Sequence, residues 1–190
     1  MSEQILRIYD FDGTIYDGNS TWDFFCFLIK RHKQNLFFLP VFFVLFMFYK
    51  SNIITLLTLM ERIIRILIFS DLDEEIKDFW DKHENKIKKF YSANKAPNDI
   101  IVSASPEPLL VPIAKKFGVR LVASKFDKKK KSFEGRVCFG AEKVRRLKEM
   151  DIYICDEFYT DSLSDAPMIK FAKASFLVKG ESISKIWNKH

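Results

Sequence analysis

The sequence predicts an α/β fold in which a doubly wound, mostly parallel sheet is interrupted by an inserted all-helical segment. Three observations carry this. Short strand-like runs alternate with helical stretches after Pro97, one strand-like run stands alone near the N-terminus, and the stretch between them has helical patterning only. Composition agrees: the 190 residues are 48% hydrophobic and 29% charged, enough apolar side chain for a core. A disordered, collagen-like or acidic-tail chain is excluded.

The first run, Ile5-Leu6-Arg7-Ile8-Tyr9, reads as a buried strand that ends in Asp10-Phe11-Asp12-Gly13-Thr14, with Gly13 marking the bend. From about Ser20 to Tyr91, apolar runs alternate with charged breaks at Lys30–Gln34, Lys50–Asn52 and Ser70–Glu75, which predicts three to five helices. Strand-like runs return at Ile100–Val102, Val119–Val122, Ile152–Cys155 and Ser175–Val178. Helical stretches at Glu107–Phe117, Ala141–Met150 and about Asp165–Ala172 separate them. Two units follow: an α/β core of residues 1–16 plus 94–190, and a helical bundle of residues 17–93 inserted into it.

Charge and aromatics divide the same way. The net charge is +6, yet residues 17–93 hold 11 Lys/Arg against 10 Asp/Glu, and 94–190 hold 19 against 12. The insertion carries 12 of the 20 phenylalanines. Cys26, Cys138 and Cys155 are far apart and form no C-x-x-C, which argues against a disulfide framework or structural zinc. Met1–Arg7 is mostly polar and has no leader pattern, so the expected location is cytoplasmic and reducing.

Leu36–Tyr49 holds 14 uncharged residues, six of them Phe, and includes Pro40. As a helix it would be about 21 Å long, short of the roughly 30 Å bilayer core. A buried bundle helix, an interfacial helix flanked by Lys30, Arg31, Lys33 and Lys50, and a spanning segment are the three readings. Ile53–Phe69 is a weaker candidate, interrupted by Glu61, Arg62 and Arg65.

Residues with chemistry cluster where predicted strands end. Asp10 and Asp12 bracket the tip of the first strand, and Asp161 and Asp165 follow the fourth. In an open parallel sheet these positions face the ligand crevice. Carboxylates gathered there repel one another without a cation, and hard oxygen donors suit Mg2+. The plain structural reading is that Asp10 and Asp12 cap a turn while Asp161 and Asp165 cap a helix. Ser103, with the backbone at Ala104, lies just before a predicted helix start, with Pro106 suited to its first turn; a hydroxyl and free N–H groups there suit phosphate. Lys143, early in the next helix, could reach the same anion.

In this order, Asp10-Phe11-Asp12-Gly13-Thr14, Ser103, Lys143 and Asp161-x-x-x-Asp165 resemble motifs one to four of the haloacid dehalogenase (HAD) superfamily. The insertion occupies the place of that superfamily's first-type cap. The Ser103 context and Phe133–Gly140 are similar to the phosphoserine-phosphatase-like branch (subfamily IB). The resemblance implies Asp10 as nucleophile, Asp12 as general acid and base, and Ser103, Ala104 and Lys143 as phosphate ligands. It implies Mg2+ on the Asp10 carboxylate, the Asp12 carbonyl and Asp161, with Asp165 in support. Protonation by Asp12 suits an alkoxide leaving group rather than a halide.

Phosphoserine phosphatases of this branch carry an acid after motif one for the substrate amine, whereas this chain has Gly18-Asn19-Ser20-Thr21. The Phe-rich cap with basic flanks resembles C-type phosphatidylglycerophosphate phosphatases, implying a lipid phosphate and an anionic membrane surface as partner, peripheral on its inner face. A small soluble phosphomonoester and a non-catalytic membrane-associating protein are the alternatives. Trp22, Phe24 and Phe25 are expected at the active site or in the core. Lys125 and Lys128–Lys131 are expected at a hairpin tip, solvated or membrane-facing; no nucleic-acid reader motif accompanies them.

Overall fold

The computed structural model describes residues 5–67 and 71–188. Met1–Gln4, and Ile68–Ser70 where the run Ile53–Phe69 meets the charged break Ser70–Glu75, lie outside the described residues. The fold class is the expected one. Strand β1 (Arg7–Tyr9) is followed by helices α1 (Ser20–Arg31), α2 (Leu39–Lys50), α3 (Leu56–Leu67), α4 (Leu72–His83) and α5 (Lys89–Asn94). The chain then alternates: β2 (Ile100–Pro106), α6 (Glu107–Phe117), β3 (Arg120–Ser124), and the hairpin β4 (Phe126–Asp127) and β5 (Ser132–Phe133). It ends with α7 (Ala141–Lys148), β6 (Cys155–Thr160), α8 (Ala166–Phe171), β7 (Ala172–Lys179) and β8 (Ser182–Asn188).

The main sheet runs β3-β2-β1-β6-β7-β8 and is parallel except for the β7–β8 pair. Strand order reverses on either side of β1, so the crevice at its C-terminal end is the place where such sheets take ligands. Register puts Tyr9 level with Ile101 of β2 and with Tyr159 of β6. Asp10, Ser103 and Asp161 therefore lie towards the C-terminal ends of three neighbouring strands.

Two apolar clusters cover the faces. One joins Ile8, Ile100, Val102 and Phe158 to Leu147, Met168 and Ile169. The other runs without a break from Tyr9, Phe11 and Ile101 through Leu109 and Ile113 into Phe24, Phe27, Phe79 and Trp80 of the insertion. Phe79 lies edge-on to Phe24, with centroids 5.4 Å apart, and Trp80 donates its indole N–H to the Leu109 carbonyl at 2.6 Å. The inserted helices thus share a core with one face of the sheet.

Four expectations need correction. The fourth strand starts at Cys155, where the predicted run ends: Asp151 turns the chain with φ 59°, Ile152 enters the core, and Tyr153 and Ile154 face outward. The strand itself reads polar because its acids have partners; Asp156 accepts from the Leu6 N–H at 2.7 Å and Glu157 from the Tyr159 hydroxyl at 2.8 Å. Strand β8 was not predicted, since most of its residues are exposed and lack clean alternation. Pro106 precedes α6, and Pro108 stands in its first turn instead. Last, Leu36–Tyr49 is not a buried bundle helix. It forms a 3-10 turn (Lys33–Phe38) and then α2, whose one buried residue is Leu45. Phe37 is 84% exposed and Phe43 66%, whereas Phe42 packs partly against the core. Among the described residues no helix is long and apolar enough to cross a membrane.

Phe79→Ala should therefore lower stability by about 3–5 kcal/mol, the usual cost of deleting a buried phenyl ring. Phe43→Ser should change it by less than about 0.5 kcal/mol, as at other exposed sites. Urea denaturation of both variants checks this, and a large loss with Phe43→Ser would contradict the exposure of α2.

Candidate active site

The C-terminal end of the sheet brings Asp10, Lys143 and Asp165 together. Lys143, at the third position of α7, is 2% exposed, and its ammonium donates to Asp10 Oδ1 at 2.7 Å and to Asp165 Oδ2 at 2.9 Å. Gly140 starts α7 with φ 56° and lets the chain turn the first helical residues inward. Asp165 also accepts from the Thr160 hydroxyl at 3.1 Å. It is the residue before α8 but makes no side-chain cap there, which rejects helix capping as its role.

Asp12 does take part in capping, across the loop. Its Oδ1 accepts the Ser20 N–H at the start of α1 at 2.6 Å, and its Oδ2 accepts from the Ser105 hydroxyl at 2.5 Å. Ser103 is 1% exposed, and its hydroxyl accepts the Ser105 N–H at 3.1 Å. Strand β2 continues through Ser103 and Ala104 with a register irregularity between Val102 and Pro106, the kind of bulge that re-aims side chains at strand ends.

Asp161 packs its carboxylate onto the backbone of Gly13. A Cβ on Gly13 would lie 2.2 Å from Asp161 Oδ2, and Gly13 has φ 75°, so only glycine fits at this turn. Lys88, on the return from the insertion, is buried and donates to the Gly13 carbonyl, and Lys179 donates to the Asp161 carbonyl at 2.7 Å.

Burial governs the electrostatics. It pushes the Asp10 carboxyl up, helped by Asp165 and opposed by Lys143, to about 7. Burial also raises Asp12 against its hydrogen bonds from Ser105 and Ser20. Burial works against the Lys143 charge, but Asp10 and Asp165 outweigh it and hold the ammonium above its ordinary value.

The donor set suits a hard cation. Asp165 Oδ1 is buried with no hydrogen-bond partner among the described residues, and Asp10 Oδ2 has only the Thr14 hydroxyl at 3.5 Å. Among the described residues no three acidic, His or Cys side chains converge as metal ligands. The expected set needs only two ligating carboxylates, Asp10 and Asp161, plus the Asp12 carbonyl, with Asp165 behind them. These oxygens fit Mg2+ with water completing its shell.

Beside Asp12 a cavity of about 340 Å³ is lined by Trp22 and Phe25 of α1, Phe46 and Tyr49 of α2, Met60 and Ile63 of α3, and Ala104. Trp22 and Phe25 thus reach the site as expected. Phe24 does not; it packs on Phe27 and Phe79 inside the helical insertion. Ser20, Thr21, Ser105 and Thr160 were missed by sequence reasoning. Only Ser105 had a signal, two residues from Ser103 and so on the same side of a strand.

The haloacid dehalogenase-like hydrolase family matches residues 8–170. The chain belongs to that family. Its fold is similar to a protein of unknown function from Bordetella pertussis Tohama I (TM-score 0.68, 18% identity, covering 89% of this chain and 87% of that one). It is also similar to a phosphoserine phosphatase in apo form (TM-score 0.56, 15% identity, 91% and 85%). A phosphoserine phosphohydrolase-like protein from Francisella tularensis matches with TM-score 0.54, 14% identity, and 90% and 86% coverage. No curated protein matches at a significant level.

The Asp10 environment predicts a pH signature in the metal-free hydrolase. Unfolded, Asp10 ionises near 4; folded, it keeps its proton to about 7. Between these values the unfolded state binds fewer protons, so this group erodes stability as pH rises. The thermal midpoint of Asp10→Asn in EDTA should rise relative to wild type from pH 4 to 7 and then level off. A difference independent of pH would refute the buried, proton-retaining Asp10.

Proposed function

We propose that this HAD-like hydrolase is a Mg2+-dependent phosphomonoester phosphatase that works through an aspartyl-phosphate on Asp10. The observation that carries the reading is the buried Lys143 ammonium, 2.7 Å from Asp10 Oδ1, in the crevice beside Asp12 and Asp161. A phosphomonoester dianion approaches an anionic carboxylate only where fixed positive charge receives it.

Asp10 attacks phosphorus while Asp12 gives a proton to the departing ester oxygen. Asp12 then takes a proton from the water that attacks the aspartyl-phosphate, releasing inorganic phosphate and restoring Asp10. Lys143, Ser103 and the Ala104 backbone hold the phosphoryl oxygens. Asp10, the Asp12 carbonyl and Asp161, with Asp165 behind, would hold Mg2+, which would supply further neutralisation of the charge on those oxygens. Residues 17–93 act as the cap over a core of residues 1–16 plus 94–190.

The substrate we favour is a lipid phosphate of the phosphatidylglycerophosphate kind rather than phosphoserine. Asp23, the acid nearest the cavity on α1, is occupied by the Tyr16 hydroxyl at 2.7 Å and by Lys86 at 2.5 Å, so it is not available to a substrate amine. The apolar cavity beside Asp12 ends at Phe46 and Tyr49 of α2, whose other faces are the exposed apolar ones. No acidic residue lies between Asp23 and Glu61, while Lys30, Arg31, Lys33 and Lys50 do. That charge pattern suits peripheral attachment to an anionic membrane surface at the cytoplasmic face.

Wild type should hydrolyse p-nitrophenyl phosphate with Mg2+ and stop with EDTA, and Asp10→Asn should abolish turnover with the fold kept. More than a few per cent of wild-type rate in that variant would rule out the covalent route. The double variant Phe37→Ser/Phe43→Ser should keep its melting temperature and soluble-ester activity, but lose co-sedimentation with anionic vesicles and turnover of lipid phosphate. Wild type that never sediments with such vesicles, yet turns over soluble esters, would leave the phosphatase standing and remove the membrane.

A further inference from the structure

The residue that gives and takes the proton is held by groups outside the four motifs. Asp12 has one oxygen on the insertion and one on the sheet: Oδ1 accepts the Ser20 N–H of α1, and Oδ2 accepts the Ser105 hydroxyl of β2. The two sides are tied to each other. Ser105 Oγ lies 2.8 Å from Thr21 Oγ1 and 3.4 Å from Ser20 Oγ, and all three side chains are buried, at 4%, 7% and 0% exposure. Ser105 has one hydroxyl proton. If it goes to Asp12, then Thr21 must donate to Ser105.

We infer that Ser105 and Thr21 form a hydroxyl pair that positions Asp12 for proton transfer and lets the seating of α1 on the sheet set its orientation. The inference rests on the proposed role of Asp12 and extends it to residues that touch neither phosphate nor metal. A hydroxyl can donate or accept, so the line Thr21–Ser105–Asp12 can serve the carboxyl as either acid or base. A backbone N–H only donates, so Ser20 cannot accept from the O–H of the protonated acid, which is why Ser20 alone does not suffice. Errors of about 1 Å in such a group cost on the order of 10²-fold in rate.

The test compares an alkyl phosphate with p-nitrophenyl phosphate at saturating Mg2+. Nitrophenolate leaves without help from an acid, so a fault in Asp12 as the acid shows on the alkyl ester only when it is read in kcat/KM, which ends with formation of the aspartyl-phosphate and does not include its hydrolysis. Ser105→Ala and Thr21→Val should each lower kcat/KM on the alkyl ester by about 10-fold or more and on the nitrophenyl ester by less than about 3-fold. Thr21→Ser, which keeps the hydroxyl, should retain the alkyl rate. Thermal melts confirm that each variant is folded. Equal losses on the two esters, or no loss in Ser105→Ala, would overturn the positioning role and leave the phosphatase reading intact. A wild type that turns over neither ester would sink the phosphatase reading and the role of the pair with it.

Discussion

A buried ammonium between two carboxylates organises this molecule. Lys143 is almost completely removed from water, and a lone charge there would be prohibitively unstable. Asp10 at the end of β1 and Asp165 before α8 make it tolerable. Three segments far apart in sequence must therefore meet at one point, so the ion triad fixes where β1, α7 and the β6–α8 loop end. It also leaves Asp165 Oδ1 and one oxygen of Asp10 short of partners, an arrangement that suits a cation-binding crevice better than a structural salt bridge.

Around that point the chain solves a second problem, how to attach a large insertion without separating it. The answer is a common core. Tyr9 and Phe11 from the first strand and its loop, Leu109 from α6, and Phe79 and Trp80 from α4 belong to one cluster, so the insertion cannot unpack without exposing a face of the sheet. The polar joint at Asp12, Ser20, Thr21 and Ser105 lies at the boundary between the same two parts. Packing holds the insertion down; hydrogen bonds register it against the loop that carries Asp12. α2 touches that core through the partly buried Phe42, and Leu45 is its one fully buried residue.

The legibility of the sequence follows from how local each signal is. Asp10-Phe11-Asp12-Gly13 was readable because a strand end and a glycine turn are encoded by neighbours, and Gly13 proves to be required by the approach of Asp161. The order of strands and helices was readable from periodicity, and the Lys128–Lys131 hairpin from its place between two short apolar runs. The strand Cys155–Thr160 was misplaced because two acids in it look like surface residues, and the partners that make them acceptable, the Leu6 N–H and Tyr159 hydroxyl among them, include one from the far end of the chain.

The sequence by itself determined the fold class and the family to which the chain belongs, and it singled out Asp10, Lys143 and Asp165, which meet in the structure, since each is written in short spacings and hydrophobic period. The tertiary structure alone decided that Phe24 faces the bundle while Trp22 and Phe25 face the cavity. It alone decided that four of the six phenylalanines in Leu36–Tyr49 (Phe37, Phe43, Phe46 and Phe48) stay exposed, because burial depends on what packs against a helix and not on what the helix contains. The same holds for Ser105 and Thr21, 84 positions apart, whose meeting is a product of long-range packing that no local pattern encodes.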